Sequence, residues 1–297
     1  MTRNEHHDGG TRRGRRRLAA AVLLCCLVSI PAVAAPQRIA SLSLCADQLL
    51  LSLVDRRRIV SVTRFASAPS ISGVADAIAG IPRNRGSAED ILPLGPDLIV
   101  AGEYTQPSTK ALFRKLGIPL LEISVATDFD GVRKNIRRIA TAAGAQAKGD
   151  RMIETLNSRL AAAAGSAGPA PSLLFYRLGG YSQGRHTLMD AIIRHAGFVN
   201  HAARALPGVG RVSLESVVVT PPDVIVLGSG HGPRSSRAAE YLSHPAFQRL
   251  RSEIPSITLP DRLWICGLPS SVDAVERLAD FRRSLTPAPR KPWASTP

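Results

Sequence analysis

The chain contains the same sixteen-residue pattern twice. Residues 87–102 read SAEDILPLGPDLIVAG and residues 213–228 read SLESVVVTPPDVIVLG, at a constant offset of 126 residues and without a gap. Each copy begins with a serine that can cap a helix and has a glutamate in the first helical turn, and it continues through proline and aspartate into a buried apolar strand. One copy in each half of the chain predicts two similar lobes and excludes a solenoid of short repeats.

The sequence around each copy alternates between apolar strands and amphipathic helices, which is typical of parallel sheets. Strands are predicted at residues 37–42, 58–63, 119–123, 172–176 and 256–259, and helices at residues 45–54, 109–116, 187–196 and 272–285. Between the halves, residues 129 to about 160 carry an apolar stripe, with a break indicated by Gly144 and Gly149. The predicted fold class is α/β: two lobes, each with a mainly parallel sheet flanked by helices, joined by one long central helix.

The first 34 residues have the composition of an export signal. Arginines precede an apolar run at residues 18–30, which is too short to cross a hydrocarbon core of ~30 Å, and Ala32-Val33-Ala34 is a small-x-small cleavage motif. An uncleaved anchor and a lipoprotein are the alternatives. We expect a periplasmic protein with a removed signal peptide (1–34), an N-terminal lobe (35–128), a connecting helix (129–165), a C-terminal lobe (166–286) and a disordered tail (287–297).

The net charge of the chain points to an anionic small molecule as the ligand. It is +15 over 297 residues and falls to +11 when the signal leaves with six arginines and two acidic residues. Aromatic residues make up 4% of the chain, which argues against a stacking surface for single-stranded nucleic acid. We therefore expect no nucleic-acid partner.

Several segments, in a fixed order, resemble one known family. They are Arg38-Ile39-Ala40-Ser41-Leu42-Ser43 before a leucine-rich helix, the two glutamate-helix-proline-aspartate-strand units, the long central helix, and Ala196-Gly197-Phe198-Val199-Asn200. Over residues 37–285 the chain resembles the substrate-binding proteins of ABC importers for ferric siderophores, heme and vitamin B12. The resemblance implies a monomeric, helical-hinge binding protein, not an enzyme, which holds a ligand between its lobes and delivers it to a membrane permease.

The resemblance also implies a role for the glutamate of each repeat. In the vitamin B12-binding members, one surface glutamate per lobe docks onto arginines of the permease. Those glutamates lie in the units that here hold Glu89 and Glu215. Both could instead only stabilise the starts of their helices, but their equivalence across the repeat favours docking to an ABC permease.

Candidate ligand-binding residues follow the predicted strands, because ligands of parallel sheets gather at the carboxyl ends of the strands. Four arginines among them suit carboxylate or phosphate groups, and aromatic rings suit the flat face of a chelate or macrocycle. The expected ligand is an anionic metal chelate, a ferric siderophore or corrinoid, and no intrinsic cofactor is expected because the metal arrives within the chelate. The candidates are Ser43, Cys45, Arg64, Phe65, Arg85, Tyr104, Tyr176, Arg177, Tyr181, Arg211, Trp264 and Cys266.

Cys45 and Cys266 each follow a predicted strand, one in each lobe. They could form a disulfide, which an oxidising compartment favours and which needs Cα atoms within ~7 Å, bind a soft metal as a thiolate pair, or stay separate. No catalytic residue and no dedicated metal site are expected. The alternative functions are a sensor of the same fold, a heme- or soft-metal-binding protein that uses both cysteines, and a periplasmic thiol enzyme, although the chain lacks a Cys-x-x-Cys pair.

Overall fold

The computed structural model describes residues 34–164, 168–229 and 242–285. The expected export signal, apart from Ala34, and the expected tail lie outside the described residues. Within the described ranges, no helix combines the length and the apolar character that a membrane span requires.

The first half of the described chain forms one parallel five-stranded sheet and its flanking helices, which we call the N-terminal lobe. From one edge to the other, the third, second, first, fourth and fifth strands are neighbours. In chain order the elements are β1 (Ile39–Ser41), α1 (Leu44–Leu53), β2 (Ile59–Thr63), β3 (Arg83–Asn84), α2 (Ala88–Ile91), β4 (Leu98–Gly102), α3 (Pro107–Lys115) and β5 (Leu120–Ile123).

Two helices follow, α4 (Phe129–Ala142) and α5 (Gln146–Ala163). The break expected at Gly144 is present, so the connection consists of two helices and not of one continuous helix. The chain turns at residues 143–145, where Gly144 has a φ of +65°, a left-handed conformation that favours glycine. Gly149 lies inside α5 and permits close packing instead of breaking the helix, because a Cβ at this position would lie 2.6 Å from the Cβ of Ala140. The two helices thus pack together as a hairpin.

The second half of the described chain forms a parallel four-stranded sheet, a separate antiparallel ribbon and helices, which we call the C-terminal lobe. In the sheet, β11, β10, β6 and β8 are neighbours in that order, and the ribbon pairs β7 with β9. The elements are β6 (Ser172–Tyr176), β7 (Tyr181–Gln183), α6 (Leu188–His195), β8 (Val199–Asn200), β9 (Val209–Arg211), α7 (Leu214–Val219), β10 (Val224–Gly228), α8 (Pro245–Glu253), β11 (Ser256–Leu259) and α9 (Ser271–Ser284).

The repeated pattern occupies the same place in both sheets. The strand of the first copy, β4, lies between β1 and β5, and the strand of the second copy, β10, lies between β6 and β11. The aspartate that precedes β4 or β10 accepts hydrogen bonds at the start of the adjacent strand, β1 or β6. Asp97 accepts hydrogen bonds from the backbone N–H of Gln37 (2.7 Å) and Arg38 (2.8 Å), and Asp223 accepts one from the N–H of Ser172 (2.7 Å). The expectation of parallel α/β lobes with helices on the sheets is confirmed.

One continuous cluster of buried apolar side chains connects the two sheets. It runs from Leu49 and Val100 in the N-terminal lobe, through Ile136 of α4 and Leu156 of α5, to Phe175 at the centre of the second sheet. Burying apolar surface stabilises a fold by ~25 cal/mol per Å². The two lobes therefore share a core, and pulling them apart would expose part of it.

Candidate functional site

A disulfide joins the two lobes at the carboxyl ends of their strands. Cys45 lies in the first turn of α1, just after β1, and Cys266 lies in the loop between β11 and α9. Their Cα atoms are 5.3 Å apart although 221 residues separate them in the sequence. Because the two sulfur atoms are bonded to each other, they offer no thiolate to a soft metal or to a thiol reaction. The structure thus contradicts both alternatives that used free cysteines, and Cys45 and Cys266 are not thiol contacts for a ligand.

Three arginines at this edge stack on aromatic rings. A guanidinium that lies over a ring is held in one plane, and its N–H donors remain directed outward around its rim. Such an arginine is restrained by the ring and can still bind an anion through its N–H donors. The pairs, with the distance from Cζ to the ring centroid, are Arg64–Phe65 (5.0 Å) in the N-terminal lobe, and Arg177–Trp264 (4.7 Å) and Arg211–Tyr181 (4.8 Å) in the C-terminal lobe.

Trp264 is the most buried of these rings, with 5% of its surface exposed. Its ring and that of Phe175 meet edge to face at a centroid distance of 4.9 Å, and its indole Nε1 has no hydrogen-bond partner among the described residues. Gly228 ends β10 beside it: a Cβ there would lie 3.6 Å from Nε of Arg177 and 3.7 Å from Cζ2 of Trp264. A cavity of about 20 Å³ borders Arg177 and Gly228. It has room for roughly one water molecule.

Tyr176 is not accessible to a ligand, so its prediction as a ligand contact is wrong. The side chain is fully buried, its ring stacks on Phe247 at 5.0 Å, and its hydroxyl donates a hydrogen bond to the carbonyl of Val212 (3.3 Å). Successive side chains of a strand point to opposite faces of the sheet. Tyr176 therefore packs under the outer helices, while its neighbour Phe175 points toward the shared core.

The other predicted contacts lie at or just beyond the ends of strands, and most of them are exposed. In the N-terminal lobe they follow four neighbouring strands. In the C-terminal lobe they follow β6 and lie on the β7–β9 ribbon, where Tyr181 is paired with Arg211. The exposed residues are Arg64, Phe65, Arg85, Tyr104, Tyr181 and Arg211, and the half-buried ones are Ser43 and Arg177.

Glu89 and Glu215 occupy equivalent positions in the first turns of α2 and α7, and both are exposed. Each helix begins within four residues of the end of a strand, so both glutamates lie on the side of their lobe that carries the strand ends. Hydrogen bonds from its own backbone N–H and from Ser213 lower the pKa of Glu215. The side chain of Ser213 also accepts a hydrogen bond from the N–H of Ser216, as expected for a helix cap.

Two buried carboxylates that were not predicted from the sequence form hydrogen bonds at the carboxyl ends of β2 and β10. Asp47 of α1 accepts hydrogen bonds from the hydroxyl (2.6 Å) and backbone N–H of Thr63, the residue just before Arg64. Asp261 accepts one from the N–H of Ser229 (3.1 Å), which ties the end of β10 to the loop that leads to Trp264. An acidic residue among apolar ones beside a strand is the sequence signal that could have identified both.

Asp47 makes the stability of the fold dependent on pH. Burial raises the pKa of this carboxyl from 3.8 to about 6, against the opposing hydrogen bonds from Ser41 and Thr63. Between these two values the folded chain holds more protons than the unfolded chain, so stability falls as the pH rises through this window. The full effect of such a shift is on the order of 3 kcal/mol.

Asp47→Asn is therefore expected to remove this dependence. From about pH 4 to about pH 7, the free energy of unfolding of the natural chain should fall by roughly 2–3 kcal/mol relative to Asp47→Asn. Urea unfolding at both pH values measures the difference, and taking the difference between the two proteins cancels the other titrating groups. Asp76→Asn, at an exposed aspartate, is the matched control. A difference that stays constant with pH would contradict the assignment.

A second cavity lies apart from this edge. Its volume is about 300 Å³ and it lies between α5 and the start of α9, where Met152, Leu156 and Val272 line it. It shares no residue with the predicted ligand contacts. Within the described ranges, no group of three or more histidine, cysteine, aspartate or glutamate side chains is arranged to hold a metal ion.

The chain matches the periplasmic binding protein family over residues 39–259, and it belongs to that family. A curated relative, the cobalamin-binding protein of Halobacterium salinarum, is 29% identical over 199 residues, which is 65% of this chain and 54% of the relative. The uncharacterized ABC transporter substrate-binding lipoprotein YvrC of Bacillus subtilis is 25% identical over 215 residues, 66% of this chain and 64% of that one. The chain thus spans between about half and two thirds of these relatives.

Solved structures show the same fold. The periplasmic heme-binding protein RhuT from Roseiflexus sp. RS-1, in apo form, superposes with a TM-score of 0.68 at 26% identity, covering 82% of this chain and 97% of that one. The vitamin B12-binding protein BtuF of Vibrio cholerae superposes with a TM-score of 0.60 at 18% identity, covering 84% and 97%. The family expected from the ordered sequence segments is confirmed.

Proposed function

We propose that this chain is the substrate-binding component of an ABC importer, which captures an anionic metal chelate between the strand ends of its two lobes and delivers it to a permease. The observation that carries the proposal is the set of three arginine–aromatic pairs, one from the N-terminal lobe and two from the C-terminal lobe. The relatives support the ligand class, since they are a cobalamin-binding, a heme-binding and a vitamin B12-binding protein.

The chemistry of the pairs fits such a ligand. A guanidinium recognises carboxylate or phosphate with two parallel hydrogen bonds, and an aromatic ring offers a flat apolar face. A heme, with two propionates at the edge of an apolar ring system, uses both. A corrinoid offers its ring to the aromatic side chains and its single phosphate to an arginine, and an anionic siderophore uses the arginines. The metal in such a ligand is cargo, and the protein binds the organic part that surrounds it.

Native mass spectrometry of the protein from the periplasm, and equilibrium titrations with cyanocobalamin, ferric heme and ferric citrate, an anionic ferric chelate, test the proposal. We expect one non-covalent ligand per chain. Replacing both Arg64 and Arg211 by alanine should lower the affinity for that ligand at least tenfold, about 1.4 kcal/mol. Arg211→Lys should recover only part of it, because lysine lacks the planar fork.

Arg249→Ala with Arg251→Ala is the matched control, since it removes the same charge from exposed positions of α8. Equal losses in the two double variants would show that only net charge matters. The proposal would be contradicted if the protein bound none of the three probes and if the protein purified from the periplasm carried no ligand.

A further inference from the structure

The lobes are joined at two separate places. The first is the α4–α5 hairpin, where α4 packs against α1 and β5 of the N-terminal lobe and α5 packs against α9 of the C-terminal lobe. The second is the disulfide between Cys45 and Cys266. Two rigid bodies joined at two separate points can rotate only about the line through those points. Bending at the turn between α4 and α5 alone therefore cannot move the strand ends of the two lobes apart.

We infer that the Cys45–Cys266 disulfide sets the aperture of the ligand site, so that the protein captures its ligand in a preformed opening and not by lobe closure. The inference rests on the proposed function in one respect, the location of the ligand between the strand ends. The restraint on the lobes is a property of the chain without any ligand.

The backbone next to the disulfide is close-packed against the segment that enters α4. Gly267, next to Cys266, presses against the segment that enters α4. A Cβ at this glycine would lie 2.4 Å from the Cβ of Ala126 and 3.1 Å from Cγ2 of Val132. Real Cβ contacts are longer than this, so the loop backbone already touches the other lobe. The disulfide thus closes a junction that is also close-packed.

The position of the disulfide links the restraint to recognition. Cys45 is two residues after Ser43, and Cys266 is two residues after Trp264, whose face is covered by Arg177. Fixing the two sulfur atoms therefore fixes the spacing between a predicted contact segment of one lobe and that of the other. When the distance between the contact segments of the two lobes is fixed before binding, ligands of one size are favoured. Binding then costs less conformational entropy, because the lobes do not have to be ordered.

The inference is tested by a distance measurement on the ligand-free protein. Nitroxide labels are attached through p-acetylphenylalanine at Ser108 and Val209, which are exposed, lie in different lobes and are not among the predicted ligand contacts. Pulsed electron resonance gives the distribution of label distances in the oxidised protein, in the same protein after reduction, and in the Cys45→Ser, Cys266→Ser variant. This labelling chemistry leaves the cysteines untouched.

We expect one narrow distribution in the oxidised protein, and a distribution at least about twofold wider, or shifted by several ångströms, once the disulfide is absent. If the serine variant does not fold, the distance distribution of the reduced natural chain is compared with that of the oxidised protein. Identical distributions with and without the disulfide would overturn the inference, because the shared core would then restrain the lobes unaided.

A second arm adds to the oxidised, labelled protein whichever of the three probes binds in the titrations. Unchanged distances in the presence of a bound probe support capture without closure, and a clear shortening contradicts it. If none of the three probes binds, the proposed ligand class fails, while the comparison of oxidised and reduced protein still decides whether the disulfide sets the aperture. The two failures are thus distinguishable.

Discussion

Replacing both Glu89 and Glu215 by alanine is expected to abolish ligand uptake by cells while the purified protein keeps its affinity. The two glutamates lie at equivalent points of the repeat, one in each lobe, and both side chains are exposed on the side of the strand ends. A permease with two related halves can bind such a pair with one basic group from each half. Removing a single glutamate leaves one contact, so each single variant should show an intermediate loss.

The control removes two carboxylates elsewhere. Asp150→Ala with Glu154→Ala changes the net charge equally, at exposed positions of α5, and should leave uptake within about twofold of the natural protein, as surface changes away from an interface do. Uptake is measured with the ligand that the titrations identify, and affinity by calorimetry. Normal uptake by the double glutamate variant would exclude docking through these residues and leave them as helix-start residues.

Phe175→Ala is expected to have the largest effect on stability, lowering the free energy of unfolding by about 3–5 kcal/mol. Phe175 is fully buried in β6, at the centre of the second sheet, and its ring supports Trp264. Truncation removes a large apolar side chain and leaves a cavity that the central strand cannot close. It also frees Trp264 to move, so the arginine stacked on that ring should lose its fixed position and ligand affinity should fall.

Urea unfolding of the oxidised protein measures the stability effect. Phe175→Leu keeps most of the volume and should cost less than about 1.5 kcal/mol. Phe65→Ala removes the same ring from an exposed site and should stay within about 0.5 kcal/mol of the natural protein. If Phe175→Ala lowered the free energy of unfolding no more than Phe65→Ala, the ring of Phe175 would not contribute to the core as described.

The central strands could be predicted from sequence because they are short apolar runs bounded by aspartate, glycine or proline. The bounds predicted for β6 and β11 agree with the structure, and the repeat identified β4 and β10 as corresponding strands. The β7–β9 ribbon and α8 were not anticipated. Strands of three residues are too short to show a periodic pattern, and the start of α8 carries little apolar periodicity.

The break between α4 and α5 could be predicted from Gly144, but the different role of Gly149 could not. A glycine in a helical pattern can end the helix or allow another helix to approach, and only the packed structure separates the two cases. Gly144 ends a helix and Gly149 accommodates one. Tyr176 illustrates a similar limit at the site. When both faces of a strand are buried, the sequence does not show which of two neighbouring residues points toward the opening.

The positions of the two cysteines in the sequence determine when the disulfide can form. Its second cysteine follows the first by 221 residues. At a synthesis rate of about 5–20 residues per second, the first is made roughly 10–40 s before its partner exists. Its native bond can form only after β11 and the loop beyond it have been made and positioned. Formation of the native disulfide therefore reports that β11, the last strand among the described residues, has reached its position.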